Sequence, residues 1–163
     1  MCNQLIGSCT GLICIHSLYV YDKIRENSLF FWNPATRLIS KKLGIFHGNV
    51  DSTNFTFGYD YSTNTYKVVC FELESGRRNS QGILVKVFTL GDNLWRDIQR
   101  LPVDVITLHS RFHNSNDGVN LNDTLNWIAL HDNHTQFYDP EVVTVEKFMI
   151  LSLDLATEKY FPL

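Results

Sequence analysis

Two histidine pairs, HSRFH at 109–113 and HDNH at 131–134, have spacings a metal ion could use, but neither has a cysteine or acid partner at a diagnostic distance. That donor set is too thin for a zinc site. Carboxylates for glycosidic hydrolysis would come from Asp60, Asp139, Glu141 and Asp154, yet Asp60 and Asp154 are accounted for by the turn sequences they occupy. No nucleophile elbow or phosphate-cradling glycine loop occurs, and GIFHG at 44–48 is too sparse to serve as one. Neither catalysis nor a cofactor is expected. The chemistry these residue types favour is recognition: Arg77, Arg78, Arg111 and His113 are the expected contacts to a partner, because guanidinium and imidazole groups make directional bonds to acids and aromatics on a protein surface. Tyr19, Tyr21 and Tyr138 could stack on a sugar, which makes a small-ligand or glycan-binding module the alternative, although packing at sheet rims accounts for them more simply.

One kind of hairpin recurs along the chain and must position these groups. FFWNPATRLIS at 30–40, FGYDYSTNTYKVV at 57–69, VFTLGDNLWRDI at 87–98, LNDTLNWIAL at 121–130 and ILSLDLATEKYF at 150–161 each join two apolar runs through a turn of Asn, Asp, Gly, Ser or Thr. The turns fall roughly 30 residues apart, which is the spacing of one hairpin plus one connection. Val, Ile, Tyr, Phe, Trp and Thr dominate the runs and suit a pleated surface, whereas Asn, Asp and Gly interrupt them too often for long helices. Continuous apolar runs such as GLICI and YKVVCF predict strands covered on both faces, as in stacked sheets. Trp32, Trp95 and Trp127 recur at hairpin positions, so packing between sheets is their expected role.

Composition agrees with a globular interior: 163 residues, 44% hydrophobic, 13% aromatic and 19% charged. A net charge of −3, from 14 basic against 17 acidic residues, argues against nucleic acid as a partner. Lys41–Lys42 and Arg77–Arg78 are the adjacent basic pairs and read as solvated loop charges. Cys2, Cys9, Cys14 and Cys70 form no CxxC pair and read as reduced thiols, with Cys14 and Cys70 as small hydrophobes inside strands. The N-terminal apolar stretch is broken by Gly7, Ser8, Thr10 and Gly11 and makes a poor signal peptide, so no membrane association is expected and the sequons at Asn54, Asn122 and Asn133 read as unused.

Pairing the hairpins gives three all-β units. The first holds GLICI, LFFWNP and TRLISKK; the second FTFGYD, YKVVCFE, ILVKVFTL and LWRDI; the third GVNLN, TLNWIAL, FMILSLDL and EKYFPL. Repeated four-stranded meanders are propeller blades, so the fold expected is a partial, kelch-like β-propeller of about three blades.

These elements also carry a resemblance. GSCTGLICI is similar to the "GSCNGLLCL" opening of the plant F-box associated interaction domain, FFWNPATR to its "LWNPSTRE", FGYDYSTNTYKVV to "FGYDPSTNDYKVV", and LGDNLWRDI to "LGTNSWR". LNDTLNWIAL and ILSLDLATEKYFPL follow in that family's order and resemble "NGTLHWLA" and "SFDLATEKF". Tyr61 stands where the family has proline and Asp123 where it has glycine, a residue that tolerates positive φ better. The resemblance implies an F-box/kelch-repeat type protein whose domain spans 1–163 as the N-terminal part of that family's propeller, without the F-box and without the later blades. It further implies a non-catalytic module that binds a target protein for a Skp–cullin–F-box ubiquitin ligase, reaching the Skp adaptor and cullin only through an F-box, and a cytoplasmic or nuclear location.

Alternating strand direction sends the short turns to one face and the connections 16–27, 42–54, 74–82, 99–117 and 131–147 to the other. His16, His47, His109, His113, His131 and His134 fall in or beside those connections with Arg77, Arg78 and Arg111, so that face is the expected recognition surface. An open arc would leave an edge and apolar faces uncovered, which predicts an oligomeric or poorly soluble chain.

Overall fold

The computed structural model describes residues 2–22, 24–47, 53–72, 83–101, 105–107, 118–131, 146 and 148–162. Among them no α-helix occurs, and the strands form three antiparallel sheets. The first contains β1 (Cys2–Cys9), β2 (Leu12–Tyr21), β3 (Ile24–Asn33), β4 (Leu38–Ile39) and β5 (Leu43–His47). Both β4 and β5 lie along one edge of β3, opposite Trp32–Asn33 and Glu26–Leu29 respectively, so together they make one interrupted fourth strand. The second sheet is the meander β6 (Thr53–Asp60), β7 (Thr65–Glu72), β8 (Leu84–Thr89) and β9 (Leu94–Asp97). In the third, β10 (Val105–Thr107) and β11 (Val119–Leu121) share one edge of β12 (Thr124–His131), followed by β13 (Phe148–Asp154) and β14 (Tyr160–Pro162). Each sheet is therefore a four-stranded meander, and the three are propeller blades in chain order.

Period-2 alternation makes the middle blade the hub. Phe55, Phe57, Val68, Cys70 and Phe88 point one way and pack with Ile6, Cys14, Leu29 and Phe31 of blade 1. Their neighbours Val69, Phe71, Val85 and Val87 point the other way, onto Leu125, Trp127, Ala129, Leu151 and Leu153 of blade 3. The run YKVVCF is thus buried on both faces, as its lack of alternation predicts. Each such aliphatic or aromatic side chain contributes on the order of 1.5–3 kcal/mol of burial, which stacked blades can collect on both sides.

The first strands converge. β6 packs between β1 and β11, and Asn120 Nδ2 on β11 reaches across to Cys9 Sγ on β1 at 3.1 Å. A bulge between Leu5 and Gly7 turns Ile6 into the blade 1–blade 2 seam. Gly58 and Gly118 let this inner rim close: a Cβ at Gly58 would stand 2.8 Å from Leu125 Cδ2, and one at Gly118 would overlap the Trp127 indole.

Several expectations need correction. Segment 16–27 is not a long connection: β2 and β3 pair through Tyr21↔Ile24 and close in a tight turn at Asp22, φ 56°. His16 is consequently a buried strand residue. CNQLIGSC, nearly all polar apart from Leu5 and Ile6, is a full inner strand, held by backbone pairing with β2 rather than by its own hydrophobicity. Part of the 99–117 segment, Val105–Thr107, is strand. Trp32 lies on the outward face of blade 1 instead of between blades.

Candidate interaction surface

Apart from the β2–β3 turn at Asp22, the described turns gather on one face, and three of them share a construction. Asn33 Oδ1 accepts from the backbone N–H groups of Ala35 and Thr36 at 3.0 and 3.2 Å, and Arg37 takes φ 58°. Asp60 Oδ1 accepts from Ser62 and Thr63 N–H at 3.0 and 3.2 Å, with Asn64 at φ 52°. Asp154 Oδ1 accepts from Thr157 N–H at 2.6 Å, with Glu158 at φ 56°. In each, a carboxylate or amide oxygen organises the bend and a left-handed residue four positions on returns the chain to the sheet. Two-residue turns at Thr10–Gly11 (φ 41°, 84°) and Asn122–Asp123 (φ 48°, 63°) have the double positive φ of hairpins that match strand twist.

A polar clasp joins blades 2 and 3 on this face. Lys67, 5% exposed, places Nζ 3.2 Å from Asp60 Oδ2 and 3.4 Å from Glu158 Oε1, and also donates to the Leu155 carbonyl. Arg96 closes the outside, with one guanidinium nitrogen 2.7 Å from Glu158 Oε1 and 3.2 Å from Thr89 Oγ1. Burial pushes the Asp60 carboxyl up, but hydrogen bonds from Ser62, Thr63 and Lys67 outweigh it and hold the group well below the usual carboxylate range. Every lone pair of Asp60 is committed to folding, so it has none left to act as a general base. Asp154 is occupied in the same way by its own turn.

Aromatic groups flank the clasp. Tyr59 makes edge contacts with Tyr61 and Tyr66 at 4.8 and 4.7 Å, and the Tyr66 hydroxyl donates to the Thr10 carbonyl at 2.8 Å. Tyr61 is 57% exposed. Its N–H donates to Asp123 Oδ1 at 2.6 Å, tying the turn of blade 2 to that of blade 3. Sequence reading found neither the clasp nor this bond, since Lys67 and Glu158 are 91 residues apart.

Arg77, Arg78, Arg111 and His113 lie outside the described residues, as do His109, His134, Tyr138, Asp139 and Glu141. In the sequence, Arg77 and Arg78 fall between β7 and β8, and Arg111 and His113 between β10 and β11. His16 Nε2 lies 2.8 Å from Asn27 Oδ1 and its ring packs on Phe55 at 4.3 Å. Burial holds that imidazole below its ordinary value although the Asn27 bond works against this. His47 is exposed at the end of β5. Tyr19 and Tyr21 are exposed on β2, 45% and 68%, facing away from the seam.

The remaining sequence candidates are structural. Trp127 is buried and donates from its indole N–H to Thr56 Oγ1 at 2.8 Å. Trp95 donates to the Gly44 carbonyl at 2.7 Å and packs on Phe46 and Phe88, locking blade 2 to blade 1. Cys14 and Cys70 are buried at that seam, and burial pushes both thiols up, away from reactivity. Asn54 and Thr56 of the first sequon are buried, while Asn122 of the second sits exposed in its turn.

Three blades in this order, with Asx-organised turns and inter-blade tryptophans, match a known domain. A family model of the F-box associated beta propeller domain matches residues 3–163. The chain belongs to this family. It is 33% identical over 129 residues, 77% of its length and 32% of the relative's, to an F-box/kelch-repeat protein of Arabidopsis thaliana. A putative F-box only protein 15 of the same plant is 29% identical over 123 residues, covering 74% of this chain and 30% of that protein. The chain thus spans about a third of the length of these curated relatives. No solved structure matches. Tyr61 and Asp123, the positions where the resemblance drawn from the sequence implies proline and glycine, are the partners of the 2.6 Å bond. Proline has no N–H and glycine no side-chain acceptor, so those residues could not form it.

Proposed function

We propose that this F-box associated domain is a protein-recognition module that holds target proteins for a Skp–cullin–F-box ubiquitin ligase in the cytoplasm or nucleus. The observation that carries this reading is the family match across residues 3–163, supported by relatives that are named as F-box proteins. The fold suits the role. Two packed seams and a charged clasp make the blades a rigid frame, and such frames commonly present binding residues on the longer connections. Arg77, Arg78, Arg111 and His113 are the proposed contacts. The family match spans residues 3–163, and coupling to the Skp adaptor is assigned to an F-box outside them. No catalytic step is assigned to the module, because Asp60 and Asp154, the described carboxylates of interest, are engaged by their turns.

Proximity labelling in plant cells tests the reading, with the chain expressed alone and with an F-box fused in front. Prey shared by both forms, with the Skp adaptor captured only by the fusion, is the expected result. Loss of the shared prey on replacing Arg77, Arg78, Arg111 and His113 together with alanine would place recognition on the proposed face. Absence of any shared prey from folded protein would overturn the recognition role.

A further inference from the structure

The turn between β6 and β7 stands between a turn of blade 1 and a turn of blade 3 and is bonded to both. The Tyr66 hydroxyl reaches the Thr10 carbonyl at 2.8 Å, and the Tyr61 N–H reaches Asp123 Oδ1 at 2.6 Å. Blade 2 has a described blade on each side, so both neighbours of this turn are in place.

Three rings rise beside it. Tyr59 meets Tyr61 at 4.8 Å and 81° and Tyr66 at 4.7 Å and 64°, and Tyr66 continues onto Phe57 in a near-parallel stack at 5.6 Å. Tyr59 and Tyr66 are half-buried and anchored through their hydroxyls, to Asn64 Oδ1 at 3.4 Å and to the Thr10 carbonyl. Tyr61 instead leaves 57% of its surface open to solvent.

An acid lies against the same turn. In the clasp, Lys67 and Arg96 compensate Asp60 and Glu158. Asp123 is half-buried and accepts the Tyr61 N–H, but among the described residues no cation is paired with it. A tyrosine ring presents a negative face, so an open ring and an uncompensated carboxylate fixed to one main chain both favour a positive charge. We propose that this ledge binds an arginine side chain of a partner polypeptide, the guanidinium lying on the Tyr61 ring and its N–H groups reaching the Asp123 carboxylate.

The geometry selects among cations. Rings that meet near edge-on at 4.7–4.8 Å leave no gap between them, so the cluster is a ledge with one open ring, not a box that surrounds a methylated ammonium. A planar cation with donors in its plane fits a ledge, because it stacks on one ring while it bonds to one carboxylate. A sugar or a proline-rich segment would use the ring but bring no charge to Asp123. The rings and the turn are already held in place, which lowers the ordering cost of binding. Proline at 61 and glycine at 123, which the resemblance drawn from the sequence implies for the family, would supply neither ring nor carboxylate. The site therefore discriminates partners of this chain from those of relatives with these residues, and it does not depend on ligase coupling.

Nuclear magnetic resonance titration of the isotope-labelled 163-residue chain with the end-blocked peptide Gly-Gly-Arg-Gly-Gly tests this, since amide shifts read even millimolar affinity. The amides of Tyr61 and Asp123 should shift saturably. Citrulline in place of arginine keeps the shape and loses the charge, and should weaken binding about tenfold. Asp123→Asn keeps an acceptor for the Tyr61 N–H and tolerates positive φ, and Tyr61→Leu keeps the N–H; each should weaken the arginine peptide about tenfold, with amide spectra unchanged away from the turn as proof of folding. Equal affinity for the arginine and citrulline peptides would overturn the proposal, leaving a general aromatic surface. Saturable shifts at Tyr61 from pentaproline or a disaccharide, with none from the arginine peptide at millimolar concentration, would overturn it in favour of a neutral ligand. Arginine binding that survives both substitutions would place the contact elsewhere and overturn it as well.

Discussion

Restoring the family residues at Tyr61 and Asp123 should stabilise the domain more together than the two single changes suggest. The bond from Tyr61 N–H to Asp123 Oδ1 is short, 2.6 Å, and its acceptor is charged, but both groups are near solvent, so about 1 kcal/mol is its reasonable worth. Tyr61→Pro removes the donor and the 4.8 Å edge contact with Tyr59, together about 1.5–2 kcal/mol. Against that loss, proline at this turn position stiffens the unfolded chain and returns about 0.4–1 kcal/mol. The left-handed residue of the turn is Asn64, so position 61 does not require the positive φ that proline cannot take. Asp123→Gly removes the acceptor but relieves a side chain held at φ 63°, two effects of about 1 kcal/mol that nearly cancel. The double variant loses the bond once and keeps both backbone gains. The cycle should therefore show a coupling of about 1 kcal/mol, with the double variant more stable than the sum of the singles. Urea unfolding at one fixed protein concentration, followed by circular dichroism, measures this from the midpoints as long as the slopes agree. Coupling within about 0.3 kcal/mol of zero would refute the reasoning and mark the bond as incidental.

Lys67→Met should cost about 3 kcal/mol, because it leaves Asp60 buried without its cation while Ser62 and Thr63 still donate to it; adding Asp60→Asn should recover part of the loss, and a single-variant cost under 1 kcal/mol would discount the clasp. The Asp60 contribution is complete above the ordinary carboxyl range near pH 4 and drains as pH falls below it, since its folded value is depressed, so Asp60→Asn should lessen acid destabilisation in that window. For His16, also depressed by burial, the unfolded chain takes up the proton first as pH falls through about 6.5, and stability present above that pH is lost below it; urea midpoints of His16→Gln should show a flatter slope from about pH 7.5 to 5.5, and an unaltered slope would assign the titration to another group. Gly118→Ala should destabilise by about 1–3 kcal/mol because its methyl meets the rigid Trp127 ring, whereas Gly58→Ala, which meets the movable ends of leucines, should cost less; thermal melts giving the reverse order would contradict the packing described for the inner rim.

The hairpins were readable because their signal is local. A turn such as DYSTN or DLATEK states its Asx acceptor and its left-handed residue within five positions, and the flanking apolar runs state the strands. β1 was not readable, since CNQLIGSC owes its strand to the register of β2 and to Ile6 alone turning inward. His16 misled because a histidine after GLICI resembles the end of a strand, whereas Asn27 across the ladder satisfies it and lets the strand continue. Trp32 alternates along β3 with Phe31, which takes the seam, and so shares the outward face with Ile13 and Ile39. The clasp required knowledge of which blades touch, and no local pattern in a single sequence supplies that.

The two seams divide the work of holding the arc. Between blades 1 and 2 the contacts are mostly apolar and aromatic, running from Phe31 and Phe57 through Phe88 to Trp95, with the ring of His16 on Phe55 and neutral hydrogen bonds from Trp95 to the Gly44 carbonyl and from Tyr66 to the Thr10 carbonyl. Between blades 2 and 3 the apolar core is capped at the turn end by Asp60, Lys67, Glu158 and Arg96 and at the inner rim by the Trp127–Thr56 bond. Apolar packing tolerates small sliding of one sheet on another, because it has no directional partner to lose; a buried ion pair with a fixed hydrogen-bond set does not. The second seam should accordingly set the angle between its blades. The stiffer joint therefore lies between blades 2 and 3, where the described residues bring Asp60, Lys67, Glu158 and Arg96 together.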